Sequence, residues 1–168
     1  RNGAFNMHAV SCIPAVIGAW KYLGGGALYS NADLFPLDKS IITGAELLDR
    51  GIRVFDQSRI GEVLCGNPID LQGGPPVTAM LIQNTNPMMV SPSSLKVREG
   101  FERDDLFVCV HEQFMTETAA MADIVLPATT FLEHDDIYIA GGHTFLQIAK
   151  SLIEPIGEAK SNHFVICE

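Results

Sequence analysis

Two apolar runs in this chain stop in residues that can read hydrogen-bond patterns. The run "AMLIQ" at 79–83 ends in Asn84-Thr85-Asn86-Pro87, and "LFVCV" at 106–110 ends in His111-Glu112-Gln113. A third run, "DIVLP" at 123–127, leads through Ala128-Thr129-Thr130 to Glu133-His134-Asp135-Asp136. Amide, imidazole and carboxylate groups together offer the donors and acceptors that a flat heterocycle presents along its edges. A carboxylate such as Glu112 can accept both N–H groups on one edge of a guanine, and an Asn such as Asn86 can pair with the other. The competing reading is structural, with Asn86-Pro87 starting a turn and His111 satisfied within a loop. Residue type and spacing leave both open.

These groups converge only if the three runs are neighbouring parallel strands. The pattern favours that arrangement. Strands are expected at Val77–Gln83, Leu106–Val110 and 123–127. Ser91-Pro92 opens a helix through "SSLKVREGFER" between the first two, and Thr116 caps a short helix, "ETAAMA", before the third. Short apolar strands alternating with helices predict an α/β fold: a three-layer αβα arrangement around a mostly parallel, Rossmann-like sheet. In such sheets ligands sit outside the carboxyl ends of the strands. Adjacent strands lie about 4.8 Å apart, close enough for their tips to share one ligand.

Upstream, "AFNMHAVSCIPAVIGAW" at 4–20 places Phe5, Ala9, Cys12, Ile13 and Val16 at helical spacing, with Pro14 expected to kink or divide the helix. Gly24–Gly26 should terminate it. Residues 30–55 read as loop-rich, and "SRIGEVL" at 58–64 as one short helix capped by Ser58. Downstream, a further strand is expected around "HTFLQIA", and a helix starts in "SNHFVICE" with Ser161 or Asn162 as its cap. The chain is expected to form a single α/β domain over 1–168, with a lead-in over 1–74 and a binding core over 75–162. Its abrupt start at Arg1 and its close in a helix just begun read as the ends of a piece cut from a longer protein.

Composition narrows the function. With 47% apolar and 18% charged residues a packed core is expected and disorder is not. A net charge of −9 with scattered basic residues argues against a nucleic-acid partner, because phosphate binding needs clustered Lys and Arg. Cysteines 12, 65, 109 and 167 lack the close mutual spacing of a zinc or iron–sulfur loop, and Cys109 reads as a reduced core thiol. "LGGGAL" lacks the Lys-Ser/Thr of a phosphate-binding loop and the spaced glycines of a dinucleotide fingerprint. The set His134, Asp135, Asp136 and His143 contains no pair at helical i, i+4 spacing and reads as an acidic loop rather than a metal site. No apolar stretch is long enough for a membrane span.

Taken in order, "NTNPMMVSPSSLKV", "FERDDLFVCVHEQFMTETAAMADIVLPATTFLEHDD" and "EPIGEAKSNH" resemble the molybdopterin oxidoreductases of the dimethyl sulfoxide reductase and formate dehydrogenase group. The likeness is strongest over 75–162, and "IPAVIGAWKYLGGGALYS" is similar to the segment preceding this unit in that family. The resemblance implies an internal fragment of a catalytic subunit that holds two molybdopterin guanine dinucleotides on one molybdenum or tungsten. It implies an iron–sulfur cluster and a metal-ligating residue upstream, a redox partner protein, and a cytoplasmic or periplasmic setting. Position by position, it carries a cofactor-binding role onto Asn86, His111, Glu112, His134 and Asn162. Where relatives often have Ser-Asp or Gln-Asp, this chain has His111-Glu112; where they often have Lys and Asp, it has His134 and Asn162. Each substitute keeps a hydrogen-bonding group. The resemblance assigns no catalytic residue and no metal ligand to this stretch, and the fragment alone is expected to be inactive.

Overall fold

The three apolar runs pair side by side, all parallel. In the computed structural model, which describes residues 2–27, 38, 40–139 and 145–168, β1 (Ala79–Gln83), β2 (Phe107–Glu112) and β3 (Ile124–Pro127) form one sheet in that order. Gln83 stands opposite His111, and Glu112 opposite Pro127, so the carboxyl ends of the strands line up at one edge. The fold is α/β with a parallel sheet, as the alternation of runs predicts. β2 runs two residues further than expected, so His111 and Glu112 belong to the strand and do not follow it.

Strand periodicity decides which side chains enter the core. Ile82, Val108 and Val110 point to one face and are buried against α3 (Ile60–Leu64) and α5 (Ser94–Phe101) through Leu64, Val97 and Phe101. The opposite face carries Leu81 beside Cys109 and Cys109 beside Ile124. Leu81 is 60% exposed and Ile124 46%, so this apolar row is uncovered among the described residues; in a three-layer fold it is where the second helical layer lies. α3 falls within the expected lead-in, yet Leu64 is fully buried in the core cluster. The core therefore recruits residues upstream of 75.

α3 and α5 approach closely because two glycines permit it. A Cβ on Gly100 would collide with the Leu64 Cβ, and one on Gly61 would lie 3.0 Å from the Val97 backbone nitrogen. The helix starts differ from expectation in instructive ways. Asp56, rather than Ser58, caps the 3-10 turn Gln57–Arg59 that leads into α3, accepting from Ser58 N at 2.9 Å and Ser58 Oγ at 2.7 Å. Pro87 opens a separate short helix, α4 (Pro87–Val90), while Pro92 stays outside α5 because Ser93 turns left-handed at φ 58°. Thr116 precedes only a 3-10 turn (Ala119–Met121), whose cap position is Thr118; Thr116 Oγ1 still accepts from Ala119 N at 3.2 Å.

By chain contacts the protein divides into two compact units, 1–38 with 138–147, and 39–137 with 148–168. The second holds the three-stranded sheet. In the first, α1 (Gly3–Val16) runs unbroken past Pro14 and ends where Gly18 turns left-handed at φ 65°, ahead of the glycine run expected to stop it. Pro14 sits in the last turn, so the one backbone bond it removes falls close to where the helix ends. α1 buries none of its residues. A short α2 (Ser40–Thr43) follows, a ribbon pairs β4 (Asp136–Tyr138) with β5 (Gln147–Ala149), and α6 (Asn162–Cys167) is capped by Ser161 Oγ, 3.3 Å from Phe164 N. His143, and residues 30–37 and 39 of the expected 30–55 loop, lie outside the described residues. No described helix is long and apolar enough to cross a membrane.

Gly100→Ala should lower stability by about 1–2 kcal/mol, because forced overpacking against Leu64 outweighs the better helix propensity of Ala. A urea midpoint that falls while the slope stays constant is the expected result. An unchanged midpoint would show that α3 and α5 separate freely.

Candidate functional site

The carboxyl edge of the sheet is stitched from side to side. His111 lies in β2 and is 1% exposed. Its Nε2 is 3.1 Å from the Lys160 carbonyl, which can only accept, so Nε2 carries the proton. Nδ1 is then the acceptor, and Gln83 Nε2 donates to it at 3.1 Å. One neutral imidazole thus ties the end of β1 to β2 and β2 to the chain at 160. Lys160 itself extends the sheet: Ala128 bridges to it in parallel, Thr129 N donates to Lys160 O at 3.1 Å, and Lys160 N to Pro127 O at 3.0 Å.

Asn86 is likewise engaged. Its Nδ2 donates to Glu117 Oε2 at 2.9 Å, and its Oδ1 accepts from Thr118 Oγ1 at 2.7 Å. Thr118 is fully buried and its hydroxyl also accepts from Met88 N at 3.2 Å. This network latches the turn after β1 to the crossover between β2 and β3. The Asn86 amide holds the Glu117 carboxyl below the usual carboxylate range. Between β1 and Asn86 the chain reverses through Asn84 at φ 55°, a conformation Asn tolerates better than most residues.

The other three sequence-predicted residues keep capacity to spare. Glu112 Oε1 accepts from Gln113 N at 2.7 Å, while Oε2 has no hydrogen-bond partner among the described residues. Gln113 Nε2 donates to Thr129 O at 2.9 Å, and Thr129 Oγ1 lies 2.9 Å from His134 Nδ1. The His134 Nε2 has no partner among the described residues. Asn162, exposed at the first position of α6, follows Lys160 by two residues. Glu112, His134 and Asn162 are therefore joined to one edge through Gln113, Thr129 and Lys160. Asn86 and His111 spend their side chains inside the fold. Beside β1 lies a groove of about 190 Å³ that includes Gln57, Gln83, Thr85 and Pro87 in its lining.

Glu133 fixes the loop that carries His134. It is buried, and its two oxygens accept from Thr130 N and Ile156 N, both at 2.7 Å. Those backbone donors hold its carboxyl below the usual range. Sequence reading missed Gln83, Thr118 and Lys160, because their roles rest on contacts across 28 to 49 residues of chain that no local pattern announces.

The match to known proteins agrees with this architecture. The family model of the molybdopterin oxidoreductases matches residues 69–168. The chain is 40% identical to the probable oxidoreductase YoaE of Bacillus subtilis over 96% of its own length and 23% of the relative's. It is 32% identical to the trimethylamine-N-oxide reductase of Haemophilus influenzae, covering 71% of this chain and 15% of that protein. Among solved structures, the acetylene hydratase from Pelobacter acetylenicus superposes with a TM-score of 0.54 and 27% identity over 66% of this chain and 14% of that one. The chain belongs to the molybdopterin oxidoreductase family. It spans less than a quarter of the length of these relatives.

Two outcomes follow from the contacts. Thr118→Val should cost about 1–3 kcal/mol in urea unfolding, since it strips a donor from Asn86 and an acceptor from Met88 N. No loss would show that the latch is dispensable. For Glu133, the folded carboxyl titrates below its unfolded value, so its contribution is present above the unfolded value and is lost as pH falls through the folded one. Glu133→Gln should therefore be less stable than the parent at neutral pH and show a flatter acid limb in a plot of melting temperature against pH. Parallel curves would remove Glu133 from the account.

Proposed function

We propose that this chain is the part of a larger molybdenum- or tungsten-dependent oxidoreductase that clasps one molybdopterin guanine dinucleotide along the carboxyl edge of its parallel sheet. One observation carries the reading. At the edge where parallel sheets of this type bind ligands, Glu112, His134 and Asn162 retain unspent polar atoms, while Asn86 and His111 spend theirs inside the fold. This set suits the group: an acceptor-only carboxylate, an imidazole nitrogen and an amide match the edge of a guanine, whose N–H groups need an acceptor and whose carbonyl needs a donor. Asn86 and His111 serve the same cofactor as positioning residues, holding the turns between which it lies. Lys160 brings an ammonium to this edge, 5.1 Å from the Phe164 ring, as a counter-charge for the pyrophosphate.

When bound, the pterin-held metal supplies the reactive chemistry, and this segment orients the cofactor and restricts its access to water. Turnover belongs to the complete protein. So do the iron–sulfur cluster, the residue ligating the metal and the docking of a redox partner. The substrate is a property of the remaining chain, since the matched proteins bear names as different as a reductase and a hydratase.

The test uses the full-length parent purified from a host that makes the cofactor, assayed for molybdenum and for GMP released by acid hydrolysis. Both should be present. Glu112→Ala should weaken cofactor retention by about 2–3 kcal/mol through loss of a charge-assisted pair. A parent free of metal and GMP would point instead to a structural subunit that keeps the fold. Unchanged occupancy in the variant under competition would remove Glu112 from the site.

A further inference from the structure

Thr129 holds three parts of the ligand edge at once. It is 5% exposed, its N–H donates to Lys160 O at 3.1 Å, and its carbonyl accepts from Gln113 Nε2 at 2.9 Å. With the backbone pinned on both sides, the Oγ1 hydroxyl has one partner among the described residues, His134 Nδ1 at 2.9 Å. The contact joins a buried residue to a half-buried one five positions on, outside any helix, so no regular spacing produces it.

That contact decides where the imidazole proton sits. Were Nδ1 protonated and donating, the Thr129 hydroxyl would only accept, and its own proton would lack an acceptor in a buried place. A buried donor left unmade costs more than a lone pair left unused. The hydroxyl therefore donates to Nδ1, and the neutral ring carries its proton on Nε2, where no described residue accepts it. Neither flanking carboxylate competes for that proton. Glu133 spends both oxygens on Thr130 N and Ile156 N, and Asp135 spends its own on Lys150 Nζ and Ser151 N.

We infer that Thr129 is a positioning residue that presents His134 to the cofactor as a hydrogen-bond donor, with Nε2–H meeting the guanine carbonyl. The inference rests on the cofactor-clasp reading and divides its labour. The acceptor-only Glu112 takes the guanine N–H groups, and His134 supplies the donor that the adjacent carbonyl needs. The opposite tautomer would set a second acceptor against that edge and leave the carbonyl without a partner.

The full-length parent, purified from a host that makes the cofactor, is dialysed at length, and the GMP and metal it keeps are followed over time. Thr129→Val keeps the shape and removes the hydroxyl, and should speed cofactor loss roughly three- to tenfold, the worth of one net hydrogen bond. Thr129→Ser should restore the parent rate, and Thr129→Val should add nothing to His134→Ala. At 134 itself, Gln can offer an N–H and should hold the cofactor better than Glu, which has equal length but only accepts. Equal retention by His134→Gln and His134→Glu overturns the inference, as does a Thr129→Val effect undiminished beside His134→Ala. Because residue 134 is half-exposed, its two variants decide the donor role even where Thr129→Val does not fold. A parent without GMP sinks the underlying cofactor reading, whereas a GMP-loaded parent indifferent to these changes sinks only the roles given to Thr129 and His134.

Discussion

A single buried imidazole sets the geometry of the sheet edge. His111 receives a hydrogen bond from Gln83 on one side and gives one to the Lys160 carbonyl on the other. Because Lys160 is also paired to Pro127 and Thr129, the ring closes a belt across the ends of the three strands and the segment returning at 160. Glu112 follows it in β2, Asn162 lies just beyond the far end of the belt, and His134 hangs from Thr129. A side chain of different length or donor pattern at 111 would break both side-chain ties of the belt and leave the edge to the backbone bonds at 112, 127–129 and 160. The strand ends are fixed by internal bonding, and that allows the leftover polar atoms to be held in place for a ligand.

Much of the sheet was legible because its signals are local. β-branched runs bounded by Asn, Pro and Asp announced the strands, and their alternation with helices announced parallel pairing. Site residues were less legible, since type reveals what a side chain can do but not how much of that capacity is already spent. Asn86 and Glu112 have equal claims in the sequence; only the partners Glu117 and Thr118, some thirty residues away, distinguish them. Helix starts were misplaced for the same reason. Ser58 and Pro92 are good local signals, but Asp56 and the left-handed Ser93 decide where the helices begin.

Family membership and packing tell a consistent story about scale. α1 buries nothing although it is mostly apolar, and the sheet carries apolar side chains on both faces while helices α3 and α5 cover one. A helix that is apolar all round belongs inside a larger body. The relatives that match almost the whole of this chain are roughly four times as long. Surfaces that look unfinished within 168 residues are what a segment embedded in such a protein requires.

The uncovered row Leu81, Cys109 and Ile124 also bears on how the chain behaves by itself. Water meets this strip wherever the rest of the parent does not, and β1 adds a strand edge that no described residue pairs with beside it. Detached from its surroundings, the segment would gain free energy by stacking sheet against sheet with its own copies. Light scattering that rises with concentration would accompany native secondary structure, and colloidal stability would fail well before the fold does.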